Sequence, residues 1–298
     1  MVEFFKLQDI KNKHRVRRQA KFIMITIKNK EEIEILREGG KILALIMKSL
    51  ASMVRPGVTT GDLEKEARKL IASAGGRPAQ LGFAMPEGKK FPAALCVSLN
   101  SEIVHAAALP SRVINNGDIV SLDCVMEYPI DEKIRAGRRA NKFSKQGGYY
   151  TDMALTVIAG SESAEAKKLI SVANECLRLG IAEAKPGNAL VRIGSAIQKH
   201  AEAKGFSVVR ELVGHGVGHK LHEEPQIPNY AFPDKELDNP ILEPGMVLAI
   251  EPMISIGDWR IKNVNKSFAF ATKDGSLSAH CEHTVAIVDG GCLILTEE

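Results

Sequence analysis

Four carboxylates interrupt segments that otherwise read as buried strands: Asp123 in IVSLDCVM, Asp152 in YYTDMALTV, Glu251 in MVLAIEPMI and Glu282 in AHCEHTVAIV. An unpaired charge is costly in an apolar interior. A fold that buries these strands must therefore bring something cationic to their acids. One such residue can be a core polar group with its own partner, but four point to a shared cation site. The stretch Gly214–Pro225, GHGVGHKLHEEP, adds three of the eight histidines. Its glycines let the backbone turn sharply and approach another group closely. The segment is too glycine-rich for a helix interior, and His215 and His222 are too far apart to be one-turn neighbours.

Asp123, Asp152, His215, Glu251 and Glu282 together offer four carboxylates and one imidazole. Four carboxylates carry −4, which two divalent ions balance, whereas one ion leaves about −2 in a low-dielectric site. Two ions, with at least one carboxylate bridging them, are expected. A donor set rich in oxygen and free of thiolate favours Mn(II), Fe(II) or Co(II) over a structural zinc. Paired ions of this kind activate a water and stabilise a tetrahedral intermediate.

Apolar spacing predicts helices over Glu31–Val54 and Thr59–Ser73, stopped between them by Pro56-Gly57, with Thr59 or Thr60 as N-cap. Strands are expected at Ala94–Leu99, Asp118–Met126 and Tyr149–Ile158. The order then repeats. Helices are expected at Ser163–Ala184 and Asn188–Lys204 around Pro186-Gly187, followed by strands near Ser207–Val213, Met246–Ile254, Ser267–Thr272 and His280–Val288. The two Pro-Gly breaks are 130 residues apart, and so are Asp152 and Glu282. Internal duplication explains this economically, with halves at about 31–160 and 163–298 and a site where they meet. The class is α+β, with helices covering one face of a curved antiparallel sheet.

Net charge is +4, and residues 1–23 hold seven basic against two acidic groups, so the rest of the chain is close to neutral. We read 1–23 as a basic, disordered N-terminal extension and 24–298 as a single catalytic domain. A basic loop, Asp131–Gly148, is inserted between two strands and should be exposed. Both charge runs have the ordinary reading of solvated chain; the sharper one is contact with RNA or the ribosome. The five cysteines form no CxxC pair, which fits a reducing cytoplasm. No apolar run approaches the roughly 20 residues that span a bilayer, and no signal-peptide apolar region is present. A cytoplasmic monomer is expected.

The motifs EIVHAAALP, IVSLDCV, TDMALTV, VGHGVGHKLHEEP, AIEPMI and SLSAHCEHT, in this order from about Met24 to the C-terminus, resemble those of the type I methionine aminopeptidases. The resemblance implies the duplicated pita-bread fold, with pseudo-two-fold related halves and helices on the outer face of the sheet. It implies two divalent ions (Co, Mn, Fe or Zn) on Asp123, Asp152, His215, Glu251 and Glu282, with Asp152 and Glu282 bridging. It implies removal of the N-terminal methionine from peptides and nascent chains. His105 and His222 would face the substrate without binding metal, and His219 would do neither. Glu251 would shuttle the proton, His222 would hydrogen-bond the developing oxyanion, and His105 would contact the nitrogen side of the scissile bond. A pocket for the methionine side chain would be lined by Cys96, Phe83, Phe91 and Phe268.

The chain departs from the family pattern in places. Phenylalanine stands at 83, 91 and 268 where tyrosine or tryptophan is common, and five extra residues lie between Phe83 and Phe91. The 29-residue spacing from Asp123 to Asp152 is long, which fits the insertion. Val125 and Met153 replace residues that are often threonine. Two rivals remain at this level: a proline-specific peptidase of the same fold, which would carry a large additional N-terminal domain, and a non-catalytic pita-bread protein that binds RNA or ribosomes, which would have lost metal ligands.

Overall fold

The computed structural model describes residues 24–84, 88–130, 132–233, 237–264 and 267–298; the basic extension 1–23 lies outside the described residues. The first half holds helices α1 (Lys30–Met53) and α2 (Thr60–Ser73). Strands β1 (Arg77–Pro78), β2 (Cys96–Leu99), β3 (Glu102–Val104) and β4 (Ile119–Tyr128), a single helical turn α3 (Glu132–Arg135) and β5 (Tyr149–Ile158) follow. The second half opens with α4 (Ala164–Glu183) and α5 (Val191–Ala203). It continues with β6 (Ser207–Val208), β7 (Gly214–Gly216), β8 (Glu223–Ile227), β9 (Val247–Ile250) and β10 (Met253–Ser255). It ends with β11 (Ile261–Asn263), β12 (Phe270–Thr272), β13 (Ser278–His280), β14 (Glu282–Val288) and β15 (Gly291–Ile294).

Local chemistry sets the helix ends. Asn29 and Glu32 form a capping box on α1, Thr59 and Asp62 form one on α2, and the Ser163 hydroxyl caps α4. Both Pro-Gly breaks place the glycine at positive φ, +87° at Gly57 and +86° at Gly187. The two turns make the same bond: Gly57 N–H donates to Ile114 O and Gly187 N–H to Leu242 O, each at 2.9 Å. Equivalent positions in the two halves thus do equivalent work.

The main sheet runs β1-β4-β5-β14-β9-β7-β8, with β2 also on β4 and β15 also on β14. Every strand pair in it is antiparallel. First-half strands lie on one side and second-half strands on the other. They meet at β5 and β14, where Glu282 pairs with Ala154 and His283 with Met153. Side chains alternate across the sheet. Leu122, Cys124 and Met126 of β4 pack with Leu43, Met47, Leu50, Leu63 and Ile71 of α1 and α2. Leu248, Ile250, Val285 and Ile287 pack with Leu169, Cys176, Ile193 and Ile197 of α4 and α5. Each fully buried Leu or Ile contributes about 2 kcal/mol by leaving water, so these two layers fix the helices to one face. The opposite face is left for the acids.

Two expected strands are each broken. The segment 246–254 divides at Glu251-Pro252 into β9 and β10, and 280–288 divides at Cys281, with β13 before it and β14 after. Pro252 lacks the N–H a ladder needs. Beyond the breaks, β13, β10 and β6 form a separate three-stranded sheet. Of 207–213, only Ser207–Val208 is strand. The strand β8, EEPQI, carries too little apolar pattern to be read in advance.

The insertion is mostly exposed yet anchored. Arg138 pairs with Glu38 at 2.5 Å and Arg139 lies 3.4 Å from Glu32, both on α1. Asn141 is buried and donates to Gly148 O at 2.7 Å and His219 O at 2.9 Å. The Phe143 ring stacks on His219 with centroids 5.1 Å apart. Among the described residues no helix is long and apolar enough to cross a membrane.

Candidate active site

The face of the sheet away from the helices carries a cleft of about 700 Å³. Asp123 reaches it from β4, Asp152 from β5, His215 from β7, Glu251 from the break after β9, and Glu282 from the start of β14. All five are buried. The alternation that sends Leu122 and Cys124 toward the helices sends Asp123 the other way. The glycines around His215 permit a close approach: a Cβ on Gly216 would lie 2.3 Å from Glu224 O. Gly218 turns the chain at φ +129°.

The donors face one another at separations too long for hydrogen bonds. His215 Nε2 lies 3.8 Å from Asp152 Oδ2 and 3.6 Å from Glu251 Oε1. His215 Nδ1 lies 2.8 Å from Gly216 O. That carbonyl accepts from Nδ1–H, which leaves the Nε2 lone pair for the cleft. Asp152 Oδ1 and Glu282 Oε1 are buried with no hydrogen-bond partner among the described residues. Donor atoms of Asp152, His215 and Glu282 lie within 4.8 Å of one another, as do those of Glu251, His280 and Glu282. Glu282 belongs to both groups. Asp123 accepts from the Gln80 amide at 3.1 Å.

Burial, then the neighbouring carboxylates, pushes Asp152, Glu251 and Glu282 well above the usual carboxylate range. Burial also raises Asp123. Such a set ionises together only around cations. Burial drives the imidazoles the other way: His215 down to about 4, His105 to about 3 and His222 well below its ordinary value. Neutral imidazole is the form that binds a metal ion. Orphaned carboxylate oxygens, neutral imidazole and mutual spacing all fit divalent ions.

The remaining expected residues surround this set. The His222 ring stands 4.6 Å from that of His215 and edge-on to Phe83 at 5.7 Å. His105 lines the cleft at φ +59°, an uncommon conformation for a non-glycine residue. Cys96 and Phe91 are in the wall, and the Gln80 amide lies 3.4 Å from Cys96 Sγ. Phe268 does not line the cleft; it meets Phe91 edge-on at 5.2 Å. Val125 faces the cleft, whereas Met153 packs toward the helical layer. His219 turns away to Glu32 on α1, 3.1 Å from its carboxylate. Two polar lining residues escaped the sequence reading. His280 stands two positions before Glu282, a strand spacing that could have flagged it; Gln80 has no such local signal.

A model of metallopeptidase family M24 matches residues 34–130 and 143–289, and the gap between them falls inside the basic insertion. Methionine aminopeptidase 1 of Bacillus subtilis is 42% identical over 274 residues, covering 92% of this chain and 99% of that protein. The crystal structure of the methionine aminopeptidase of Thermotoga maritima has a TM-score of 0.80 at 38% identity, over 92% of this chain and 100% of that one. The prolidase of Pyrococcus horikoshii shares the fold alone, with a TM-score of 0.65 at 19% identity over 91% of this chain and 63% of that one. The likeness thus favours methionine removal over the proline-specific alternative. The chain is a metallopeptidase of family M24, in the methionine aminopeptidase branch.

Proposed function

We propose that this chain releases the N-terminal methionine of peptides and nascent proteins by hydrolysing the first peptide bond with the help of two divalent ions. The observation that carries this is the meeting of four buried carboxylates and the His215 imidazole in a cleft whose other walls include Phe83, Phe91, the Cys96 thiol and the histidines His105, His222 and His280. Asp123, Asp152, His215, Glu251 and Glu282 would hold the ions, with Asp152 and Glu282 as the shared pair; Co, Mn, Fe or Zn would suit the set. Divalent ions bound there supply Lewis-acid polarisation and a water acidified toward neutral pH.

Glu251 accepts the proton of the attacking water and passes it to the departing amine nitrogen. His222 donates to the substrate carbonyl oxygen as charge develops on it. His105 orients the nitrogen side of the bond. The methionine side chain rests on Phe83, Phe91 and Cys96, where sulfur–aromatic contacts suit a thioether, and Phe268 supports Phe91. Residues 24–298 act as one catalytic domain, a cytoplasmic monomer. A ribosome contact would run through the basic extension 1–23 or the loop 131–148, in which Arg138 and Arg139 already face α1 carboxylates.

Release of methionine from Met-Ala-Ser, set against cleavage of an Ala-Pro peptide, tests this across Mn, Co, Fe and Zn. Methionine release that depends on the ion and is lost in Asp152→Asn is expected. Cleavage of Ala-Pro alone, or full activity in Asp152→Asn, contradicts it.

A further inference from the structure

We propose that His280 is a second imidazole ligand of the metal centre, binding the ion held by Glu251 and Glu282. This rests on the two-ion reading above and extends it to a residue outside the five ligands.

His280 ends β13 and is 1% exposed. Neither ring nitrogen has a hydrogen-bond partner among the described residues. Leaving a buried donor or acceptor unsatisfied costs about 1–3 kcal/mol each, and buried polar groups are nearly always partnered. The atoms facing Nε2 are Glu251 Oε2 at 3.5 Å and Glu282 Oε2 at 3.8 Å. These separations are too long for hydrogen bonds. They suit donors that share an ion, each about 2.0–2.2 Å from it.

The backbone supplies a second, independent argument. The Thr284 hydroxyl accepts Asp152 N–H at 2.8 Å and donates to Asp152 O at 2.7 Å. The Thr156 hydroxyl accepts His280 N–H at 3.1 Å and donates to His280 O at 2.6 Å. Each half thus reaches across the seam and clamps one residue of the other with a threonine. One clamped residue is Asp152, a ligand candidate. The other is His280. The fold holds the two with the same device, as it would if both positions carried ligands.

His280 then joins Glu251 and Glu282 as donors within reach of one ion, next to the group of Asp152, His215 and Glu282, and the five ligands proposed above keep their places. Replacing oxygen by nitrogen shifts a site toward Co, Zn and Fe and away from Mg and Mn.

The test uses the full chain loaded with Co(II). X-ray absorption distinguishes imidazole by its outer-shell scattering. Two imidazoles per pair of ions are expected, falling to one in His280→Gln. Calorimetric titration should show the weaker Co(II) site of His280→Gln reduced by at least about tenfold, with a smaller change for Mn(II). Two bound ions with a single imidazole in the unsubstituted chain would overturn the assignment of His280 and leave the proposed function standing. That result needs no variant to fold. A chain that binds no divalent ion overturns both.

Discussion

His222 and His215 present rings 4.6 Å apart in one cleft, yet their surroundings differ. His215 is held by Gly216 O and aims Nε2 at two carboxylates. His222 faces Phe83 and the open cleft. Replacing His222 with Ala should leave the bound metal unchanged and lower kcat by about 10²–10³, the usual cost of one oxyanion donor. Metal content and turnover measured on one preparation check this, and loss of metal would make His222 a ligand instead. At this scale the acids were conspicuous in the sequence because a charge among buried apolar neighbours needs a reason. His280 was not conspicuous. Its only local signal is the two-residue spacing to Glu282, and its relation to Glu251 exists only after the strands fold.

The element that matters most is the seam between β5 and β14. Only two residue pairs register there, so the Thr284 hydroxyl on the Asp152 backbone carries a large share of the join. Thr284→Val keeps the shape and strands a buried N–H and C=O. We expect a loss of about 2 kcal/mol and reduced activity, because Asp152 loses its fixed position. Thermal melts and methionine-release assays on the variant check both; an unchanged Tm would remove the hydroxyl from the account. Helices were legible as elements because apolar spacing marked them, with a cap signal at Thr59; the caps at Asn29 and Ser163 emerge in the structure. The breaks at Glu251-Pro252 and Cys281 were not, since apolar residues continue on both sides and only the packing of three sheets shows where the chain turns.

Across the whole molecule, two helical layers hold a sheet whose free face gathers negative charge. Repetition at Pro56-Gly57 and Pro186-Gly187 made this architecture readable, because each half carries its own helices and strands. The anchoring of the insertion was not readable, because Asn141 and Phe143 find their partner in the distant His219 turn. Burial and mutual repulsion hold protons on Asp152, Glu251 and Glu282 to higher pH than on ordinary carboxyls. Ion binding must expel those protons, so affinity should rise with pH and proton release should shrink as pH rises. Calorimetry of Mn(II) binding in two buffers of different ionisation enthalpy reads the release directly. Equal heats in both buffers at pH 6 would count against the raised carboxyls.

The central claim is that methionine release depends on ions held by acids from both halves. Its most direct measurement is methionine freed from Met-Ala-Ser while the ion-free chain is titrated with Mn(II) or Co(II). The account predicts no release without ions, saturation at two ions per chain, and loss of release in both Asp152→Asn and Glu282→Gln. Release at the full rate from the ion-free chain, or from either variant, would contradict it.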